Sequence, residues 1–166
     1  MITTYRGSIL EVKADAIVNA SDKKLSGGGG IDKIIHRAAG KALKTFLRCN
    51  YPEGIQTAEA IITDGFNVST KIIHTAGPTW GKSVKKQQAA RKELYDTYIN
   101  CIDLALKKNL KSIAFPCIST GAYKFPKEYA ANIAVNVAKQ YEEDIDIIFV
   151  VVDNENHALY NNLLSH

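Results

Sequence analysis

Two carboxylates and a histidine surround a run of four glycines near the start of the chain. The segment NASDKKLSGGGGID, residues 19–32, carries Asn19, Asp22 and Asp32, and His36 follows Asp32 by four residues. If a helix begins at the end of the glycine run, Asp32 and His36 share one of its faces, where the imidazole can orient or polarise the carboxylate. Without side chains, Gly27 to Gly30 let backbone N–H groups approach an anion, and a helix start offers unpaired N–H groups and a positive dipole end to the same anion. The combination suits phosphate held beside an acid or base. Each part alone has a plainer reading. A glycine run also fits a flexible hinge, an acid in a first helical turn is favoured by the dipole alone, and a helical histidine is more often packed or solvated.

A second loop, CISTGAYKF at residues 117–125, again places small and hydroxyl residues around a glycine after an apolar run. Ser119, Thr120 and Gly121 offer donors to phosphate, and Tyr123 an aromatic face to a sugar or base. Ser-Thr-Gly alone is an ordinary turn; two such loops converging on one crevice are not. Neither loop has the G-x-x-x-x-G-K-[ST] or G-x-G-x-x-G spacing, which argues against NTP hydrolysis and dinucleotide redox chemistry. His74 lies inside an apolar run and reads as a hydrogen-bonded structural residue. Trp80 fits either the edge of a cleft or a lid over the core. No His, Cys and Asp cluster has metal spacing, so neither metal nor cofactor is expected.

The elements that must position these loops follow from periodicity. Strands are expected at Ala16–Val18, Ala60–Thr63, Ile72–Thr75, Ile113–Phe115 and Ile147–Val152, with Ile2–Tyr5 as a further edge strand. A helix is expected in which Ile31, Ile34, Ile35, Ala38, Ala39 and Leu43 form one face. Leu94, Tyr98, Cys101, Ile102 and Ala105 repeat the pattern in a second helix. Pro126 suits the first turn of a third, with Ala130, Ile133, Ala134, Val137 and Tyr141 as its stripe, and a short helix around His157–Leu164 closes the chain. Alternating strands and helices predict an α/β fold, a three-layer α/β/α sandwich around a mostly parallel sheet. The Gly65–Thr70 link is too short for a helical crossover, so the strands it joins should be antiparallel and the sheet mixed. In such sheets ligands sit at the carboxyl ends of the strands, where both loops lie.

The whole chain sets the bounds. Its 166 residues, 46% of them hydrophobic, suit a single domain over 1–166. A net charge of +4, with lysines in scattered pairs such as Lys23–Lys24, Lys85–Lys86 and Lys107–Lys108, permits an anionic ligand without demanding nucleic acid. Three dispersed cysteines, Cys49, Cys101 and Cys117, fit a reducing cytoplasm. Neither a signal pattern nor an apolar run of the roughly 20 residues that span a bilayer is seen, so no membrane association is expected.

The stretches VNASDKKLSGGGGIDKIIHRAAG, IIHTAGPTW and IAFPCISTGAYKFP, in this order and spacing, resemble the macro domain family, above all its MacroD-type ADP-ribosyl hydrolases. The likeness covers nearly the entire chain. It implies a six-stranded sheet and a cleft for ADP-ribose or an ADP-ribosylated protein, in a protein expected to be a monomer. By that likeness Gly28, Gly29, Gly30 and Ile31 hold one side of the diphosphate and the distal ribose. Ser119, Thr120, Gly121, Ala122 and Tyr123 enclose the other side. Ser8 and Ile9 belong to the ligand-binding set, Asn19 bonds the distal ribose, and Asp32 lies near the water that attacks the anomeric carbon.

Three positions depart from the family pattern. Asp22 stands where a second asparagine usually contacts the distal ribose; a carboxylate accepts but does not donate, and it adds charge near both a diphosphate and Asp32. Ser8 stands where an aspartate usually bonds the adenine amino group, and Lys33 replaces a glycine. The resemblance thus implies a hydrolase that removes ADP-ribose from protein carboxylates or deacetylates O-acetyl-ADP-ribose, with Asp32, Asn19, Asp22 and His36 as the catalytic set. A non-catalytic ADP-ribose reader, impaired by Asp22, is the alternative. Nucleic-acid binding ranks last, since it needs a basic face with stacking groups that the sequence does not display.

Overall fold

The β-branched runs pair into one sheet. The computed structural model describes residues 1–165. Along the chain lie β1 (Ile2–Arg6), β2 (Ala16–Ala20), α1 (Gly30–Ala39), α2 (Lys41–Asn50), β3 (Ala60–Thr63), β4 (Lys71–Thr75), α3 (Val84–Lys107), β5 (Ser112–Phe115), α4 (Lys127–Tyr141), β6 (Asp146–Val151) and α5 (Asn154–Leu164). The six strands are ordered β1-β6-β5-β2-β4-β3. Every pair is parallel except β3 with β4, so the short Gly65–Thr70 link makes the antiparallel edge that its length requires.

Side chains alternate across the sheet and separate two apolar layers. Ala16, Val18, Ile73, Ile113, Phe115, Ile147 and Phe149 face α3, α4 and α5, while Ile17, Ile61, Ile72, Ala114 and Val150 face α1 and α2. The first layer is the thicker, with Tyr98, Phe115, Phe149 and Tyr160 in mutual ring contact at 4.9–6.4 Å. Residues of the predicted second helix, Leu94, Tyr98, Cys101, Ile102 and Ala105, are all buried there. Ser83 caps α3 by accepting from the Lys86 amide at 3.1 Å, and Asp153 caps α5 by accepting from Asn156 at 2.7 Å.

Four expectations about helices need correction. The single first helix is two, because Gly40 adopts φ 91 and its N–H closes on the His36 carbonyl, reversing the chain between α1 and α2. Ile34, expected on the apolar face, is 52% exposed. Pro126 is the cap residue of α4 (φ −57, ψ 128), one position before the first turn, and the last helix starts at Asn154, earlier than expected, because Asp153 supplies its cap.

Candidate active site

β2 and β5 are neighbours, yet β2 continues into α1 on one face of the sheet and β5 into α4 on the other. Adjacent strands whose helices diverge leave a crevice at their carboxyl ends. The Ser21–Gly29 and Pro116–Pro126 loops border it. Their convergence is visible in Tyr123, whose phenol is pushed up by partial burial and further by the charges of Asp22 and Asp32 on the opposite loop.

The floor is polar. Asn19 is fully buried on the α1 side of β2, in register with His74 of β4. Its Nδ2 donates to Asp32 Oδ1 at 2.8 Å and lies 3.1 Å from His74 Nδ1. His74 Nε2 lies 3.0 Å from Thr63 Oγ1, whose proton is already given to the Asp64 carbonyl at 2.9 Å. Thr63 must therefore accept from His74 Nε2–H, which leaves Nδ1 as an acceptor for Asn19. The imidazole is neutral, as burial and then the nearby His36 push its pKa down to about 3. The chain Thr63, His74, Asn19, Asp32 thus has one consistent set of donors, and it turns Asn19 Oδ1 into a buried acceptor with no protein partner.

Asp32 is buried in the first turn of α1. Burial pushes its carboxyl up, against the opposing effects of the Asn19 bond, the His36 charge and the Gly28 amide, and the Asp22 charge raises it further. His36 Nε2 is 3.3 Å from Asp32 Oδ1, close enough for an ion pair but without hydrogen-bond geometry. Burial pushes His36 down as it pushes Asp32 up, so for both members of the pair it favours the uncharged form. His36 also packs against Gly27, where a Cβ would come within 2.7 Å of the ring.

The walls are backbone. Gly29 is the cap residue of α1 and no side chain bonds the first-turn amides, so the N–H groups there remain available. Gly30 has φ 58, and a Cβ built at Gly29, Gly30 or Gly121 would meet no atom within 4 Å, so open space lies over all three. Ile31 packs against the α1-side core. In the second loop Ser119 has φ 68 and is buried against Gly77, while Thr120 Oγ1 donates to the Cys117 carbonyl at 3.0 Å. The Ser119 Oγ is buried without a partner, and Gly121 and Ala122 are exposed. Trp80 takes the lid reading: its ring packs on the core 4.7 Å from buried Phe125, and its amide bonds the Tyr123 carbonyl at 2.8 Å, so it also supports the second loop.

Asp22 is spent on its own loop. Partial burial raises its carboxyl, but bonds from the Ser26 hydroxyl and the Ser26, Lys24 and Leu25 amides outweigh that and hold it below the usual carboxylate range. Ser8 Oγ accepts from the Leu10 amide at 3.2 Å, and the Ile9 side chain is buried in the α1-side core, leaving only its backbone for a ligand.

The sequence model of the Macro domain matches residues 18–134. The chain belongs to the macro domain family. Among relatives, mouse ADP-ribose glycohydrolase MACROD1 is 39% identical over 99% of this chain, which spans about half (52%) of that protein. O-acetyl-ADP-ribose deacetylase of Escherichia fergusonii is 40% identical, covering 99% of this chain and 95% of its own. The Oceanobacillus iheyensis macrodomain solved with ADP superposes with a TM-score of 0.87 at 36% identity, over 98% of this chain and 88% of that one. The macro domain fold therefore agrees with the resemblance carried by the three motifs. Sequence reading missed that Thr63 and His74 belong to the network under Asn19. The signal was the shared parity of Asn19, His74 and Thr63, all polar on the α1-facing side of their strands.

Proposed function

We propose that this macro domain binds ADP-ribose and hydrolyses the bond between its distal ribose and a protein carboxylate or an acetyl group. The observation that carries this reading is the buried Asp32 carboxylate, held by Asn19 at 2.8 Å immediately below an uncapped helix start and an open glycine run. The first-turn amides of α1 would take the diphosphate from one side, and the backbone from Ser119 to Tyr123 from the other. The unpartnered Asn19 Oδ1 would accept from a distal-ribose hydroxyl. Its donor atoms are already committed, so only a donating group satisfies it.

For an acetyl ester, water attacks the acyl carbon, and the ribose oxygen leaves with the bonding electrons and takes up a proton. For a glycosyl carboxylate, a water oxygen attacks the anomeric carbon as the bond to the carboxylate oxygen breaks. The leaving carboxylate takes the bonding electrons and Asp32 takes the water's proton. A carboxyl whose pKa burial has raised is a stronger base than an ordinary aspartate, and it works in a site that already excludes much water. His36, its pKa lowered by burial, lies 3.3 Å from the carboxylate, while the bond from Asn19 holds the position. Relatives named as an ADP-ribose glycohydrolase and an O-acetyl-ADP-ribose deacetylase support the same chemistry. The test is a time course of ADP-ribose release from a glutamate-modified protein, with the parent and Asp32→Ala side by side. We expect the variant to release at least about a hundredfold more slowly, the usual scale for removing a general base; equal rates would refute the mechanism.

One observation favours a second reading, a reader that binds and releases nothing. The Asp22 carboxylate lies 3.6 Å from where a Gly28 Cβ would be, a fixed negative charge beside the proposed diphosphate. Adding Asp22→Asn to the same time course separates the two. A silent parent revived by that change is a reader, and an active parent little altered by it is a hydrolase.

A further inference from the structure

Seven lysines and arginines between Lys23 and Arg48 look scattered in the sequence, but folding gathers five of them. Residues 33–52 hold Lys33, Arg37, Lys41, Lys44 and Arg48 and no Asp or Glu, one more cation than the net charge of +4 of the entire chain. Lys33 and Arg37 are four apart on α1; Lys41, Lys44 and Arg48 are three and four apart on α2, which stacks them in one stripe. All five are exposed. Among the described residues none takes part in an ion pair, whereas Lys71, Lys92 and Lys127 each do.

The stripe begins at the crevice. α1 leads away from it to Gly40, which abuts Asn67 in the β3–β4 turn at the far edge of the sheet. α2 then returns, and the chain after it is tied to the first loop by Ile55 N–H donating to the Lys23 carbonyl at 2.8 Å. The reversal sets Lys44 near His36, whose pKa its charge helps to lower after the larger effect of burial. Lys33 directly follows Asp32. Ile34, 52% exposed, adds an apolar spot beside Arg37, whereas Phe46 lies on the other flank of α2 against Phe66.

We propose that the outer face of the α1–α2 hairpin docks the acidic polypeptide flanking an ADP-ribosylated carboxylate. This rests on the function proposed above, and extends it by naming the protein partner's chemistry. Once the ADP-ribose is seated, the attached chain must leave the crevice beside Asp32, and there it meets Lys33 first. Each added carboxylate then binds at the high effective concentration of a tethered ligand. Mixed cationic and aliphatic contacts suit a polypeptide; nucleic acid would call for stacking platforms along a continuous groove.

The experiment uses calorimetry on the whole chain with three probes: free ADP-ribose, and ADP-ribose joined through a non-hydrolysable linkage to a peptide with either acidic or neutral flanks. The parent is expected to bind the acidic conjugate about tenfold more tightly than the neutral one at low salt, since three exposed ion pairs are each of modest strength. The variant Arg37→Gln/Lys41→Gln/Arg48→Gln is expected to lose that preference while binding free ADP-ribose as the parent does. Equal binding of both conjugates by the parent, or a preference that survives in the variant, overturns the docking surface. So does single-stranded RNA of matched charge that displaces the acidic conjugate better than the free acidic peptide. No binding of free ADP-ribose by the parent overturns the proposed function itself, and this surface with it.

Discussion

At Asp32 stability and chemistry oppose each other. Its folded pKa is raised by burial, so its contribution to stability is complete only below the ordinary aspartate value of about 3.9 and is lost as pH rises through the folded value. At neutral pH the ionised group therefore destabilises the fold. Asp32→Asn keeps the acceptor for Asn19 and removes the charge, so it should raise the melting temperature at pH 7. The gain should vanish below about pH 4, and thermal melts at the two pH values check both halves. His74 has the reverse sign. It is neutral in the fold with a pKa of about 3, while an unfolded histidine takes a proton below about 6.5, so acid favours unfolding through that window. His74→Leu leaves one buried N–H of Asn19 and the acceptor side of the Thr63 hydroxyl without a partner and should lower stability by about 1–3 kcal/mol at pH 7. Denaturant titrations should show the deficit narrowing as pH falls toward 4.

Glycines of the loops and of the segment after α2 differ in what can be changed without disturbing the fold. Gly54 cannot gain a Cβ, which would sit 2.0 Å from the Lys23 carbonyl, whereas Gly121 opens onto space. Gly121→Glu should therefore fold normally, with a melting temperature within a degree or two of the parent, but place a carboxylate where an anion is to sit. Its expected signature is an unchanged melt and no stabilisation by ADP-ribose, measured in the same thermal series. At this scale much was legible in the sequence. β-branched runs located the strands, and the length of the Gly65–Thr70 link alone set its strands antiparallel. The break at Gly40 was not legible, because Ile35, Ala39, Leu43 and Leu47 keep a spacing of four straight through it. Both arms of the hairpin cover the same face of the sheet, so the apolar period persists although the chain reverses.

For the molecule as a unit, ligand binding should appear as stability. Saturation with ADP-ribose at a hundred times its dissociation constant should stabilise the parent by about 2.7 kcal/mol, a concentration-dependent melt shift that AMP at the same concentration should not match if both loops grip a diphosphate. No helix among the described residues is long and apolar enough to cross a membrane, and the three cysteines are free. By itself the sequence determined the alternation of strands and helices, the mixed sheet, and the two glycine-containing loops at the carboxyl ends of β2 and β5. These are local properties, written in periodicity, turn length and glycine placement. Only the tertiary structure decided that Thr63 and His74 orient Asn19, that Trp80 supports the second loop, that Asp22 is bound up with Ser26, and that five exposed cations sit on the two arms of one helical hairpin. Each of those depends on strand register or on the reversal at Gly40, which bring together residues whose separation along the chain carries no mark of their contact.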